Sequence, residues 1–204
     1  MKIICIGRNY SDHVRELNHQ QPSSPIIFLK PESSIHRKAE PFQIPEWSEE
    51  IHHELEVVVR IDAGGKNIAV ENAHRYFSKV GLGIDFTARD VQSELKAKAH
   101  PWERAKAFDG SAVLGEFLPL EELGKPIDDL SFHLLNRGSV VQEGNTSQMI
   151  FPVPELIAEV STFLTLEEGD LLFSGTPAGV ASVASGDFLE GILEGKALLQ
   201  LDIA

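Results

Sequence analysis

The sequence predicts a β-rich α+β fold with a few short helices, on three observations. Short apolar runs rich in Val, Ile and Leu recur along the chain, each stopped by Gly, Pro, Asn or Asp, the pattern of strands between turns. Only one segment, 154–164, carries a clear helical stripe. There Leu156, Ile157, Val160, Phe163 and Leu164 recur at i, i+1, i+4, i+7 and i+8 behind Pro154, a residue suited to a first turn. The second half is otherwise made of strand-like runs.

Taken in order, residues 2–6 read as a short buried strand stopped by Gly7. Ser11 or Asp12 then stands near the N-cap of a short polar helix reaching Leu17. Residues 19–25, with Pro22 and Pro25, read as a mobile connection, and together these suit a lid over about 8–24. Residues 26–29 form a strand ended by Lys30-Pro31. The long stretch 32–50, broken by Pro41 and Pro45, reads as a loop pinned to the core by Ile44 and Trp47, and loops of this length serve function or wrap a neighbour. Residues 53–61 form a strand followed by a turn at 62–66, and 70–77 a helix leading back to a strand at 80–84. A helix over 87–98 sets Val91 and Leu95 on one face and Arg89, Gln92 and Lys96 on another. Residues 101–106 read as a turn. Strands follow at 112–117, 132–136 and 140–142, the last two joined as a hairpin through Arg137-Gly138-Ser139, with at most one helical turn at 120–123. Strands at 171–173, 188–193 and 197–203 complete the chain. Gly175 and Gly179 flank a loop whose N–H groups could approach an anion, although ordinary turns use the same residues.

A chain of 204 residues suits one domain, 1–204, able to bury around 70% of its unfolded surface. Eighteen basic against thirty-one acidic side chains give a net charge of −13 and a pI near 5.0, which disfavours nucleic acid and anionic membranes as partners. A site for an anionic substrate must then be made locally positive, by a metal or by a few placed Lys and Arg. The single cysteine, Cys5, lies in an apolar run and has no intrachain partner, so core packing is its expected role. The apolar run before Gly7 is too short for a signal-peptide core and no run has the length of a membrane span, so a cytoplasmic protein is expected. The chain has no internal repeat and no low-complexity tract.

Two stretches hold the candidate chemistry, His52-His53-Glu54-Leu55-Glu56 and the run 83–90 that contains Asp85. On one strand Glu54 and Glu56 would project the same way with Cα atoms about 7 Å apart, while Leu55, Val57 and Val59 take the other face. Three carboxylates with no Cys nearby make an all-oxygen site, which suits Mg2+, Mn2+ or Ca2+ rather than zinc. Alternating Glu on a half-solvated strand has the same spacing, so spacing alone leaves both readings open. His13 and Glu16, three apart, share a helical face, as does any solvated ion pair. Lys106, in a short apolar context, either faces a pocket or stays at the surface.

With these segments in place, the sequence resembles the fumarylacetoacetate hydrolase superfamily, and within it the small single-domain acylpyruvase and oxaloacetate decarboxylase branch. The matching motifs are Gly7-Arg8-Asn9-Tyr10 with Asp12-His13-Val14-Arg15-Glu16, Phe28-Leu29-Lys30-Pro31, His53-Glu54-Leu55-Glu56, Asp85-Phe86-Thr87-Ala88-Arg89-Asp90-Val91-Gln92 and Ala105-Lys106-Ala107-Phe108-Asp109. Gln142-Glu143-Gly144-Asn145-Thr146 and Gly175-Thr176-Pro177-Ala178-Gly179-Val180 complete the series, which runs nearly end to end. The resemblance implies a mixed β-sandwich roll of the fumarylacetoacetate hydrolase C-terminal-domain type, usually a homodimer. It implies that Glu54, Glu56 and Asp85 bind Mg2+ or Mn2+, with Ca2+ a third candidate. It also implies a catalytic lid dyad of His13 and Glu16, Lys106 and Gln92 near the substrate, and Thr176 against its carboxylate. Arg8, Tyr10 and Arg89 match family positions around the site. The match lacks the extra N-terminal domain of the larger hydrolases, so a substrate other than fumarylacetoacetate is expected.

The chemistry implied is formation of a pyruvate enolate, with a metal on the carboxylate and 2-oxo oxygen of a small 2-oxo or dicarboxylic acid. Oxaloacetate reaches the enolate by losing CO2. An acylpyruvate reaches it after water attacks the distal carbonyl, with His13 as base and Glu16 orienting the imidazole. An isomerase or tautomerase acting on a 2-hydroxydienoate is the alternative enzyme. A non-catalytic small-acid binding protein is the other alternative, against which the intact His13 and Glu16 count. Substrate choice is expected to come from the loop 32–50.

Overall fold

Short β-branched runs cannot bury themselves alone, and this chain stacks them into sheets that cover one another. The computed structural model describes residues 1–16, 20–37 and 40–204. The first half runs β1 (Ile3–Gly7), α1 (Ser11–Glu16), β2 (Ile26–Lys30), β3 (Ile51–His53), β4 (Leu55–Ile61), β5 (Phe77–Asp85), β6 (Thr87–Ala88), α2 (Arg89–Ala97) and α3 (Glu103–Lys106). The second runs β7 (Ala112–Pro119), β8 (Ser131–Asn136), β9 (Ser139–Asn145), α4 (Val153–Phe163), β10 (Leu171–Phe173), β11 (Ala181–Ser182), β12 (Phe188–Leu193) and β13 (Lys196–Asp202). The result is the β-rich, few-helix architecture that the sequence predicts.

A six-stranded sheet has the order β2-β1-β10-β4-β5-β7 and is antiparallel except where β1 meets β10. That one parallel pair joins strands from opposite ends of the chain, so the segment after β1 and the glycine loop after β10 lie side by side. Leu55, Val57, Val59, Val80, Leu82 and Ile84 form one core with Leu134, Leu189 and Leu199 of a four-stranded sheet, β13-β12-β8-β9. The alternate residues, Val58 with Ile3, Cys5, Leu171 and Phe173, make a second cluster on the opposite face, as period-two alternation requires. α4 buries Val153, Leu156, Ile157 and Val160, each worth about 1.5–3 kcal/mol. Among the described residues no helix is long and apolar enough to cross a membrane.

Several expected boundaries change. The single strand expected over 53–61 breaks at Glu54: β3 pairs with β6 and β11 in a separate three-stranded sheet, and β4 belongs to the six-stranded one. Thr87 and Ala88 pair with His52 and Ile51, so α2 starts at Arg89 rather than 87. Residues 70–77 form a 3-10 turn at Val70–Arg75, after which Phe77 already opens β5. The turn expected at 101–106 closes as the one-turn helix α3. Ile44 packs against the core as expected, and Trp47, although 50% exposed, sets its ring edge-on to Phe108 at 5.3 Å. Phe42 is a further anchor, with its ring stacked on Phe86 at 4.0 Å and its N–H donating to Asp202 O at 2.8 Å. Leu17 of the expected first helix, His19 of the segment after it, and Lys38 and Ala39 of the long loop lie outside the described residues.

Candidate functional site

The site is built where the chain changes sheets. Between β3 and β4, Glu54 accepts the Asp85 N–H on its own carbonyl at 2.9 Å, while the next N–H, Leu55, donates to the Gln142 side chain at 2.9 Å. Gln142 also bonds His53 Nδ1 at 2.9 Å and donates to Thr176 Oγ1 at 2.9 Å, so one buried amide locks the crossing to the glycine loop. Glu56 stands opposite Gly83 in the β4–β5 register. A Cβ at Gly83 would fall 2.6 Å from Phe173 Cε1, so only glycine lets Phe173 cross there. These constraints bring oxygens of Glu54, Glu56 and Asp85, all buried, within 4.8 Å of one another.

Three cations meet these carboxylates. Lys106 Nζ donates to Glu54 Oε2 and Asp85 Oδ2, both at 2.7 Å, Arg89 Nη2 lies 2.5 Å from Glu54 Oε1, and Lys30 Nζ lies 2.7 Å from Asp85 Oδ1. Burial alone would raise Glu54, but Lys106 and Arg89 outweigh it and hold the carboxyl well below its ordinary value. Burial alone would likewise lower Lys106, and Asp85 with Glu54 reverses that. Among the described residues Glu56 has no ion pair, and it accepts the Gly175 N–H at 2.7 Å. Burial, then Asp85 and Glu54, push its carboxyl well above the usual range. Asp85 Oδ1 touches the Lys30 charge but has no hydrogen-bond geometry to any donor among the described residues. A charge-crowded Glu56, an Asp85 oxygen with free lone pairs and an all-oxygen donor set fit a hard divalent cation.

Above the triad lies a narrow cleft lined by Arg8, His13, Phe28, Glu54, Glu56, Arg89, Gln92, Lys96, Trp102, Lys106 and Thr176. His13 is 4% exposed, and its Nδ1 lies 3.3 Å from Glu16 Oε2. Burial lowers its pKa below the usual imidazole value, opposed in part by Glu54 and Glu16. Glu16 in turn accepts the Gly179 N–H at 3.1 Å, which docks α1 onto the glycine loop. Gly179 has φ 96° and a Cβ there would fall 2.5 Å from Val141 O. Gly179→Ala is therefore expected to displace the Glu16 contact and lower turnover while divalent-ion affinity holds. Calorimetry beside steady-state rates checks this, and an unchanged rate would show that the docking contributes nothing.

The remaining expected residues take definite places. Gln92 Oε1 accepts from Arg89 Nη1 at 2.7 Å. The Thr176 hydroxyl lines the cleft but donates to Leu55 O at 2.9 Å. Tyr10 is buried in the core edge-on to Phe132, outside the cleft lining, and its hydroxyl has no partner among the described residues. The Gly175 and Gly179 N–H groups meet Glu56 and Glu16, not an external anion, because the loop closes onto the protein's own carboxylates. Nor does any described residue of the loop 32–50 line the cleft. That loop runs along β7 and β13 instead, through the Ile35–Ala112 and Phe42–Ile203 bridges. Sequence reasoning left Lys30, Gln142 and the wall of Phe28, Lys96 and Trp102 without roles. The available signal for Lys30 was a lysine closing an apolar run, the same context that marked Lys106.

Comparison with known proteins gives the family. The family model described as fumarylacetoacetate (FAA) hydrolase C-terminal matches residues 2–202. The chain belongs to the fumarylacetoacetate hydrolase family. It is 40% identical over 193 residues to the mitochondrial oxaloacetate tautomerase FAHD1 of Bos taurus, covering 95% of this chain and 87% of that one. It is also 40% identical over 204 residues to the mitochondrial oxaloacetate decarboxylase of Dictyostelium discoideum, covering 99% and 93%. Among solved structures, fumarylpyruvate hydrolase from Pseudomonas aeruginosa, in complex with Mn2+ and pyruvate, superposes with a TM-score of 0.93 at 32% identity, covering 100% of this chain and 89% of that one. The sandwich roll is thus the fold of the family, with the carboxylate triad at a sheet crossing within it.

Proposed function

We propose that this protein is a divalent-metal-dependent enzyme that turns a small 2-oxo acid into its enolate, cleaving a C–C bond by acylpyruvate hydrolysis or oxaloacetate decarboxylation. The observation that carries the reading is one narrow cleft with converging buried carboxylates on its floor and a buried imidazole, His13, in its wall. Glu54, Glu56 and Asp85 would hold Mg2+ or Mn2+, with Ca2+ the third candidate. A bound divalent ion supplies Lewis acidity where charge builds on the 2-oxo oxygen.

The protein's own groups do the rest. A carboxylate only accepts hydrogen bonds, so Glu16 keeps the His13 proton on Nδ1 and leaves Nε2 as the basic atom. In hydrolysis Nε2 takes a proton from the water that attacks the distal carbonyl, and Glu16 stabilises the imidazolium. Lys106 places its charge beside the nascent enolate. Arg89, Gln92, Thr176 and Arg8 orient the acid, while Tyr10 supports the wall from behind. A second reading, keto–enol tautomerisation with the carbon skeleton intact, is favoured by the carboxylate-backed His13, a ready proton carrier, and by the name of the FAHD1 relative. A homodimer and a cytoplasmic location are further proposals, read by sedimentation and by fractionation.

Oxaloacetate and a series of acylpyruvates, assayed with Mg2+ and Mn2+ for pyruvate release and for loss of enol absorbance, test the reading. Because His13 is held below 6.5, it protonates only as pH falls through that lower value. The acid limb of kcat/KM is therefore expected below 6.5. No turnover of any of these acids with either ion would overturn the proposal.

A further inference from the structure

Four cations line the cleft, with a fifth, Lys30, at the triad beside it, and among the described residues three of the five have carboxylate partners. Lys30, Lys106 and Arg89 are paired with the triad. Arg8 and Lys96 line the same cleft, and neither makes an ion pair or a side-chain hydrogen bond among the described residues. None of residues 17–19 and 38–39 is acidic, so the sequence holds no carboxylate there that could serve them. In a chain with a net charge of −13, two unpartnered cations at one cleft mark a place for an anion from outside.

Their placement gives a ruler. Arg89, Gln92 and Lys96 sit at i, i+3 and i+7 of α2, on one face of the helix. Arg89 reaches the triad, and Lys96 stands four residues beyond Gln92, about 6 Å along the axis, a spacing on the scale of a four-carbon chain. Trp102 fixes Lys96 from the side, with Nζ 5.4 Å from the ring centroid. Arg8 is held over the cleft by a left-handed backbone, φ 59°, a conformation that non-glycine residues adopt at a cost.

Resting on the function proposed above, we infer that Lys96, assisted by Arg8, reads the second carboxylate of a four-carbon 2-oxo dicarboxylic acid whose 2-oxo end lies at the triad. Burial, with Arg89 and Arg8 nearby, pushes the Lys96 ammonium down to about 8, which is the behaviour of a cation that lacks its anion. The pairing bears on the reaction. In decarboxylation the C3–C4 bond breaks, its electrons pass into the 2-oxo system and the carboxylate leaves as neutral CO2, so its ion pairs are lost before the transition state is complete. In tautomerisation the C3–H electrons take that path, the proton passes to His13, and the second carboxylate keeps its partners. Lys96 therefore favours proton transfer over loss of CO2.

The test uses an inert pair with the Mn2+-loaded protein: malate, and 2-hydroxybutyrate, which lacks the second carboxylate. Oxalate reports the metal end alone. Calorimetry is expected to give the parent a 10- to 100-fold preference for malate, the scale of a charge-assisted hydrogen bond. Lys96→Met should abolish that preference, Lys96→Arg should retain most of it, and oxalate affinity should hold within about twofold in both, since no direct contact is lost there. With oxaloacetate, pyruvate formed per C3 proton exchanged should rise in Lys96→Met; a fall would overturn the pairing argument. If oxalate binds the parent but the malate preference is absent, or survives Lys96→Met, the Lys96 assignment alone falls. If oxalate does not bind the parent, the metal-site reading falls and this inference with it.

Discussion

His13→Ala is expected to lower acylpyruvate turnover by about 10²- to 10⁴-fold, the usual cost of losing a general base, while affinity for Mn2+ and oxalate stays near that of the parent. The separation follows from the geometry. His13 belongs to α1 and among the described residues its side chain bonds Glu16, whereas the triad is held by the β3–β4 crossing and β5, with which α1 shares no hydrogen bond among those residues. The loss should therefore appear in kcat, with KM little changed. Glu16→Gln should lie between parent and alanine variant, because an amide can still orient the ring but cannot balance the imidazolium charge. The acid limb of the pH profile should vanish with His13. A parental rate across neutral pH in His13→Ala would make the dyad structural and send the search for the base elsewhere.

What could be read from the chain, and what could not, divides along physical lines. Strand and helix positions were legible because burial imposes a period on the residues themselves, as in α4 or in the alternation of Leu55, Val57 and Val59 against Val58. The triad was legible as three carboxylates in two motifs. Its cause was not: the reading put Glu54 and Glu56 on one strand, whereas the chain leaves one sheet and enters another at Glu54, a decision made by Gln142 and Asp85 far along the sequence. Lys30 and Lys96 were visible only as lysines, since what separates them is a partner: Lys30 meets Asp85, and Lys96 meets no carboxylate among the described residues. The long loop divides in the same way, since its length fits either a functional role or wrapping a neighbour. Which of the two holds for the described residues is decided far along the chain, where the backbone N–H of Phe42 is taken up by Asp202 of β13.

Glu56→Gln and Asp85→Ala are both expected to abolish divalent-ion binding and activity, yet to act oppositely on the metal-free fold. Glu56 has no ion pair among the described residues, and its folded-state pKa is raised above the ordinary 4.5 by burial, Asp85 and Glu54. A carboxyl raised in this way binds its proton more tightly folded than unfolded, so its penalty on the fold grows as pH rises above the unfolded value. Removing that charge relieves the penalty, and the glutamine oxygen can still accept the Gly175 N–H. In EDTA at neutral pH, Glu56→Gln should therefore be at least as stable as the parent. Adding Mn2+ at a hundred times its Kd should then stabilise the parent by about 2.7 kcal/mol and leave the variant where it was. Asp85 is different, because Lys30 and Lys106, both buried, rest on it. Its loss leaves Lys30 with no carboxylate among the described residues, and breaking a buried pair in this way costs about 3–5 kcal/mol. Thermal unfolding with and without metal separates the cases. Glu56→Gln that unfolds early in EDTA would refute the charge crowding at the triad, and calorimetry showing Mn2+ bound as tightly as in the parent would remove Glu56 from the metal site.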